Sequence, residues 1–411
     1  VTSVESDESV EVAIVGGSVA GAVLATRLAQ RGHQVVVLER SPAWVWRAGG
    51  VFSSPAAMAA LRRAGFDGEM LAKVARPIPA MRLETRAGTG FRLTYGTESG
   101  GEPAVGFDRA RLDTMLLECA TTAGADVRRG RTVTAVDLAN RVLTVRGPGV
   151  DPVRLRASVI VGADGPHSVV ARAAGVDRPV RLRPRVGLSY HLADPDSTCT
   201  VPRDARMVLL DDGYIGIAPV PGGRVNVGIV LGPSWRARLM SEGAPALAAR
   251  IVARVQATED DAALWRTGQP IDRVAGAWPL GHRVTRRAGP GWLLVGDAAG
   301  FLDPFTGEGL HRAVVSTELA APAIEARGRR SASGPVAFDA FDRAMQRRFL
   351  AKDAVSWLVQ SFLGHPLAFE YAARRVATRD DVRATMGLVM GDLVPASRAL
   401  DPRYLGRLLA P

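Results

Sequence analysis

The sequence is poor in cysteine, in lysine and in long apolar runs. Its two cysteines, Cys119 and Cys199, lie far apart with no C-x-x-C spacing. That sets aside a disulfide framework and a cysteine-based zinc site, and it agrees with a reducing, cytoplasmic location. Lys73 and Lys352 are the only lysines among 52 basic residues. The longest uncharged stretches, Ala354–Phe369 and Val12–Thr26, fall short of the roughly 18 residues of a membrane span. The first is broken by Gly364, His365 and Pro366, and the second is rich in glycine. Residues 1–11 hold four acidic and no basic residues, so no secretory leader is expected there. A G-x-S-x-G elbow and a cluster of zinc ligands are also missing from the sequence, so no side-chain nucleophile or metal centre is expected.

What remains is a globular composition. The 411 residues are 47% hydrophobic and 23% charged. This suits two or three structural units with a core large enough to need no covalent staple. The net charge of +11 is carried almost wholly by arginine. The arginines are scattered, with short clusters at 327, 329 and 330 and at 347 and 348, and no aromatics between them. Nucleic acid is therefore not an expected partner, whereas an electropositive surface suits an anionic cofactor or substrate. The oligomeric state is not legible.

Residues 1–9 read as a polar tail. A buried strand over Glu11–Val15, a glycine turn, a helix over about 20–31 and a second strand ending at Glu39 and Arg40 form a βαβ unit, which implies a parallel sheet covered on both faces. A helix is expected over Ala56–Ala64, strands over Arg82–Tyr95, and a strong helix over Arg109–Ala123. Successive strands follow over 126–147, then a buried strand over Ser158–Gly162. Strand signals dominate from about Arg181 to Leu231, with turns at Asp211-Asp212-Gly213 and Pro221-Gly222-Gly223. A further strand over Trp292–Gly296 runs into Asp297. Beyond Gly309 the pattern is helical, broken at Ser331–Pro335, Gly364–Pro366 and Pro395. The expected α/β architecture is a Rossmann-like domain built from 10–75, 101–175 and 285–330, an inserted β-rich substrate domain from 76–100 and 176–284, and a helical C-terminal region over 331–411.

Three motifs carry chemistry. In Gly16-Gly17-Ser18-Val19-Ala20-Gly21, a strand turns into a helix whose first N–H groups can face a pyrophosphate. Gly16 permits the turn, Gly21 the close approach of helix and strand, and Ser18 stands where a second glycine is usual. Glu39, about 20 residues on, is placed to accept hydrogen bonds from ribose hydroxyls. The second motif is Gly162-Ala163-Asp164-Gly165, with Ser168 and Arg172 just after; its plainer reading is a strand-to-helix turn capped by Asp164 or Ser168. The third runs from Gly296-Asp297-Ala298-Ala299-Gly300 to Phe305-Thr306-Gly307-Glu308-Gly309-Leu310. Here a strand delivers Asp297 toward a polyol, Pro304 stiffens the loop, and Gly307 and Gly309 expose N–H groups at a helix start.

In this order and spacing the motifs resemble a superfamily of FAD-dependent oxidoreductases: the para-hydroxybenzoate hydroxylase-like (group A) monooxygenases, the geranylgeranyl reductases and the flavin-dependent halogenases. The resemblance covers most of residues 11–320. It implies that the first motif binds the ADP part of FAD, that Asp164 and Asp297 contact the cofactor, and that Gly307 to Leu310 run beside the flavin ring. It further implies that Arg109, in Arg-x-x-Leu-Asp ending at Asp113, and Arg47, before Gly49-Gly50-Val51, lie near the cofactor. NADPH or NADH is the implied reductant.

The halogenase branch is set aside because its lysine position holds Ile78 and Trp44-Val45-Trp46 lacks the following Ile-Pro. Many aromatic hydroxylases carry His after GDAA and Asn after the final glycine-containing turn, where this chain has Gly300 and His311. The expected activity is oxygen insertion (hydroxylation or epoxidation) into an apolar or aromatic small molecule of secondary metabolism; the alternative is reduction of carbon–carbon double bonds, and a further one a non-redox flavin-dependent cyclase. The acid–base candidates are His311, Tyr214 and His191, each with a plain structural reading as a core residue.

Overall fold

The computed structural model describes residues 7–96, 101–180, 184–194, 202–255, 268–329 and 336–410. The first strand starts earlier than the apolar pattern indicates. β1 (Asp7–Val15) continues upstream because Asp7–Val10 pair with Arg154–Ala157 of β11 (Val150–Gly162), and Arg128 grips Glu8. Thus polar residues assigned to a tail are held by a long neighbouring strand. β11 itself is longer than Ser158–Gly162, since its first half pairs antiparallel with β10 (Val142–Gly147).

The main sheet has the order β19-β20-β11-β1-β2-β8, with β10 and β9 (Thr132–Asp137) continuing off β11. β2 is Val35–Glu39, β8 Asp126–Arg129, β19 Ala288–Gly289 and β20 Trp292–Leu294. β1 lies parallel to β2 and β11, and β11 parallel to β20, which is the arrangement the βαβ reading implies. α1 (Val19–Ala29) and α4 (Arg109–Thr122) pack together over this sheet. β20 stops at Leu294, two residues short of the expected Gly296, because Gly296–Ala299 already form a single helical turn.

A second sheet has the order β17-β13-β16-β15-β14-β5-β6. Its strands are β5 (Met81–Glu84), β6 (Gly90–Leu93), β13 (Val186–Ala193), β14 (Ala205–Leu210), β15 (Gly213–Val220), β16 (Arg224–Leu231) and β17 (Ala275–Ala277). Both expected turns close hairpins here, with Leu210 opposite Gly213 and Val220 opposite Arg224. One face packs Leu188, Tyr190, Ile215, Ile217, Val227 and Ile229 against α7 (Ala244–Arg254), which follows α6 (Arg236–Glu242). Neither helix is expected from the strand-rich reading; their apolar residues complete a sheet face that would otherwise be wet. Residues 181–183 and 195–201 of that reading lie outside the described residues.

A small sheet, β3 (Phe52–Ser53), β7 (Ala104–Phe107) and β4 (Ala75–Ile78), abuts β15. The approach is backbone to backbone: a Cβ on Gly106 would stand 2.0 Å from the carbonyl oxygen of Pro219. Shorter elements are α2 (Pro55–Arg63), α3 (Gly68–Ala72), α5 (Val169–Ala173), β12 (Asp177–Arg178) and β18 (Arg283–Val284).

The C-terminal part comprises α8 (Gly309–Arg329), α9 (Val336–Leu363), α10 (Pro366–Thr378), α11 (Asp380–Met390) and α12 (Pro402–Leu409). α8 runs through Pro322, and an additional break falls at Arg379, whose backbone is extended. The expected break at Ser331–Pro335 lies outside the described residues. α9 is fastened to the main core by Phe338, Phe341, Met345 and Phe349, while α10 and α11 reach the second sheet through Phe369, Met386 and Met390. Among the described residues no helix is long and apolar enough to cross a membrane.

Phe341 is 2% exposed. Phe341→Ala is expected to cost about 3–5 kcal/mol of stability, the range for truncating a buried aromatic. Urea unfolding followed by circular dichroism checks this, and a loss below about 1 kcal/mol would show that α9 is not part of the main core.

Candidate cofactor and substrate site

The first motif is shaped by two contacts that a side chain would prevent. Gly16 has φ +100°, and a Cβ on it would lie 2.5 Å from the Ala163 carbonyl oxygen; a Cβ on Gly21 would lie 1.9 Å from the Gly16 carbonyl oxygen. The turn therefore presses α1 against β1 and the Gly162–Gly165 segment. Ser18 is the N-cap, yet its hydroxyl makes no capping bond. It donates instead to Asp113 at 3.1 Å and accepts from Arg109 at 3.3 Å.

Asp113 is 2% exposed and organises this corner. The Arg109 guanidinium, one helical turn away on α4, donates to both its oxygens at 3.2 Å and to the Gly50 carbonyl at 2.8 Å. Arg47 lies 3.7 Å from the same carboxylate and over the Trp44 ring at 4.3 Å. Burial lowers the Arg47 pKa, with Asp113 opposing. Two guanidiniums and the first N–H groups of α1 thus converge, the chemistry that receives a pyrophosphate. Glu39 is buried and holds the turn as well as facing it, accepting from the backbone N–H of Gly17 at 2.8 Å and of Ser41 at 2.9 Å. Arg40 is exposed.

The other two motifs meet this one at the strand ends. Asp164 accepts from the Val169 N–H at 2.7 Å through one oxygen, while its buried Oδ1 has no partner among the described residues. Burial raises its pKa, against the pull of Ser168. Ser168 caps α5 through the Ala171 N–H, so the plain reading of that turn and the ligand reading hold together. Burial also raises the pKa of Asp297, opposed by Arg109, Arg312 and His282. Its carboxylate has no hydrogen-bond donor among the described residues. A buried Asp164 oxygen without a partner among the described residues, the half-buried Asp297 carboxylate and the N-terminus of α1 are what a polyhydroxylated, phosphorylated ligand would complete, so the residues fit FAD.

In the loop after Asp297, Pro304 opens a short turn and Gly307 takes φ +66°, where a Cβ would meet Phe52 at 2.6 Å. Gly309 begins α8 with open space around it, and Leu310 packs its side chain into the main core, so only its backbone is available to a ligand. Asp303 pins the loop to the second sheet: it accepts from Tyr214 at 2.5 Å, from the Phe305 N–H at 2.9 Å and from Arg185 at 3.1 Å. Burial and then Asp303 push the Tyr214 phenol well above its ordinary pKa, so it remains protonated and positions the loop.

His311 is engaged on the C-terminal side of the loop. Its Nδ1 lies 3.3 Å from Asp392 in a buried ion cluster that joins α8, α9 and the end of α11. Lys352 donates to Asp392 at 2.6 Å and to the Val389 carbonyl at 2.9 Å, and lies 3.6 Å from Glu308. Asp392 also accepts from Ser54 at 2.9 Å. Burial alone would raise the Asp392 pKa, but Lys352 and His311 outweigh it and hold the carboxyl well below its ordinary value. His191 lies on the second sheet. Its Nδ1 pairs with Asp272 at 2.7 Å and its ring meets Trp46 edge-on at 4.2 Å. Burial lowers its pKa, with Asp272 opposing, so the ring is neutral at pH 7.

The sequence reading missed Asp113, His282, Asp303, Lys352 and Asp392 as site residues. Lys352 carried a signal, being one of two lysines in an arginine-rich chain. Three separated acceptors suit a compact ammonium better than a planar guanidinium. Asp392 carried none, since its partner Ser54 is 338 residues away.

A model of the FAD binding domain matches residues 9–327. The digeranylgeranylglycerophospholipid reductase of Methanoculleus marisnigri is 28% identical over 324 residues, covering 76% of this chain and 75% of that protein. Digeranylgeranylglycerophospholipid reductase 2 of Methanothermobacter thermautotrophicus is 30% identical over 341 residues, covering 77% and 78%. The crystal structure of a geranylgeranyl bacteriochlorophyll reductase-like protein from Thermoplasma acidophilum superposes with TM-score 0.74 at 22% identity, covering 98% of this chain and 96% of that one, which shows a shared fold.

Two outcomes are expected. Gly21→Ala forces the turn apart, and the purified protein should lose bound FAD, read by absorbance at 450 nm; retention at the wild-type ratio would contradict the close approach. Lys352→Met leaves buried carboxylates uncompensated and should destabilise by about 3–5 kcal/mol at neutral pH. Because the Asp392 pKa is lowered on folding, its stabilising effect is present above the unfolded value of about 3.9 and is lost as pH falls through the folded one. The difference between wild type and variant in urea unfolding should therefore shrink on acidification below pH about 4.

Proposed function

The chain belongs to the FAD binding domain family of FAD-dependent oxidoreductases, and on that premise we propose that it reduces carbon–carbon double bonds of an apolar, isoprenoid-like small molecule. The observation that carries this reading is the likeness, over three-quarters of the chain, to proteins named for the reduction of digeranylgeranylglycerophospholipids. It favours the alternative given above over oxygen insertion. The geometry supports it as well, because His311, the first candidate to serve a phenolic substrate, belongs to the buried ion cluster.

FAD, when bound, supplies the two-electron chemistry, with NADPH or NADH as the proposed source of electrons. The chain's own residues bind and exclude. The α1 N-terminus, Ser18, Arg109 and Arg47 would hold the pyrophosphate, Glu39 the ribose and Asp297 the ribityl chain. The backbone of Gly307–Leu310 would lie along the flavin. Phe305, Tyr214, Tyr95 and Val230 form an apolar wall beside the loop that keeps water from the reacting bond. His191, with Nδ1 committed to Asp272, has Nε2 left to exchange a proton.

The test is anaerobic. Holo-protein is photoreduced and mixed with geranylgeraniol or a digeranylgeranylglycerol phosphate, and flavin absorbance and product mass are followed. Reduction predicts flavin reoxidation matched by a mass gain of about 2 per bond. A gain of about 16 on admitting oxygen would establish oxygen insertion instead. Turnover of substrate without a redox change of the flavin would establish the cyclase reading.

A further inference from the structure

Of the two lysines in the chain, Lys73 is exposed and Lys352 is 5% exposed. The Lys352 ammonium lies among three oxygens contributed by other elements: Asp392 at 2.6 Å, the Val389 carbonyl of α11 at 2.9 Å and Glu308 at 3.6 Å. Glu308 belongs to the Gly307–Leu310 segment, so Lys352 brings a buried positive charge from α9 to the cofactor loop. A second cation stands beside the same carboxylate. Arg312 lies 3.9 Å from Glu308, pairs with Asp353 and stacks over the Phe349 ring at 4.4 Å. The charges of this group are felt on the cofactor side of the loop. Burial raises the pKa of Asp297, and Arg109 and then Arg312 oppose it.

Packing alone does not call for charge here. A well-packed apolar group of similar volume holds two helices together as well as a buried ion pair does, often better. What a buried charge adds is a field that water screens poorly. Lys352 is also what keeps the two carboxylates ionised, being the largest opponent of burial at both Glu308 and Asp392. Reduction of FAD is sensitive to such a field. A hydride leaving NADPH or NADH oxidises the nicotinamide and brings FAD two electrons and one proton. The cofactor thereby gains one negative charge, which a nearby cation favours and a nearby carboxylate opposes.

Given FAD along the Gly307–Leu310 backbone, as read above, we propose that Lys352 and Glu308 set the reduction potential of the bound cofactor. The Lys352 ammonium raises it and the Glu308 carboxylate lowers it. The pair acts through its charge and not by touching the reacting atoms. Lysine suits the role because a compact ammonium can stand among three separate oxygens. The proposal is independent of whether the reduced cofactor passes its electrons to an alkene or to oxygen.

The test compares FAD-loaded wild type, Lys352→Met, Glu308→Gln and the double variant, each reduced slowly without oxygen beside a reference dye at one fixed pH. At the dye potential where wild type is half reduced, Lys352→Met should lower the ratio of reduced to oxidised FAD by about tenfold, or about 30 mV for a two-electron couple. Glu308→Gln should raise the ratio, and the double variant, which restores the net charge, should return toward wild type. A purely structural pair predicts otherwise: both single variants move the ratio the same way, and the double variant does not recover. Should Lys352→Met fail to fold, Glu308→Gln and the charge-balanced double variant still decide. The proposal is overturned if Glu308→Gln leaves the ratio unchanged or lowers it, or if the double variant shifts as far as Glu308→Gln does. Gly309→Val separates these outcomes from a misplaced cofactor. If FAD lies along this segment, the added side chain raises the Kd for FAD; an unchanged Kd would remove the placement itself.

Discussion

Burying carboxylates is the constraint on which the rest of this structure depends. Seven carboxylates, Glu39, Asp113, Asp164, Asp297, Asp303, Glu308 and Asp392, are buried or half-buried around the three motifs and the C-terminal helices. Each loses hydration there and must be met by donors or left wanting them. Glu39 is met by backbone N–H groups, Asp113 and Asp303 by arginines, and Asp392 by Lys352 and Ser54. Asp164 keeps one buried oxygen without a partner among the described residues, and Asp297 is half-buried. The satisfied groups hold the frame, and Asp164 and Asp297 are the pair proposed above to meet the cofactor.

The same logic joins parts of the chain that are distant in sequence. Asp303 ties the cofactor loop to β15 and to Arg185, and the Lys352 cluster ties the helix after that loop to α9 and α11. Ion pairs of this kind are weak sources of net stability, but removing one partner is severe, so they specify geometry more than they add energy. The loop is thereby gripped from two sides, by a phenol and a guanidinium toward the second sheet and by an ammonium toward the C-terminal helices.

Glycine acts in two opposite ways. At Gly16, Gly21 and Gly106 it allows backbone to meet backbone, and a side chain would collide. At Gly216 and Gly228 it leaves space that no described residue fills. Composition does not distinguish these uses; only the distance from a hypothetical Cβ to its neighbours does.

By itself the sequence determined the local chemistry: the βαβ unit, the glycine turn with Glu39, the two hairpins closed by Asp-Gly and Gly-Gly turns, and the strand that delivers Asp297. These depend on residues within about 25 positions of one another, so apolar period and turn residues carry them. The start of β1 and the pairing of Ser54 with Asp392 were decided by tertiary structure, because each depends on a partner that sequence distance hides. The direction of His311 was decided in the same way: adjacency to a cofactor motif suggested chemistry, but a helical residue points where its turn of helix faces, and here that is toward Lys352 and Asp392.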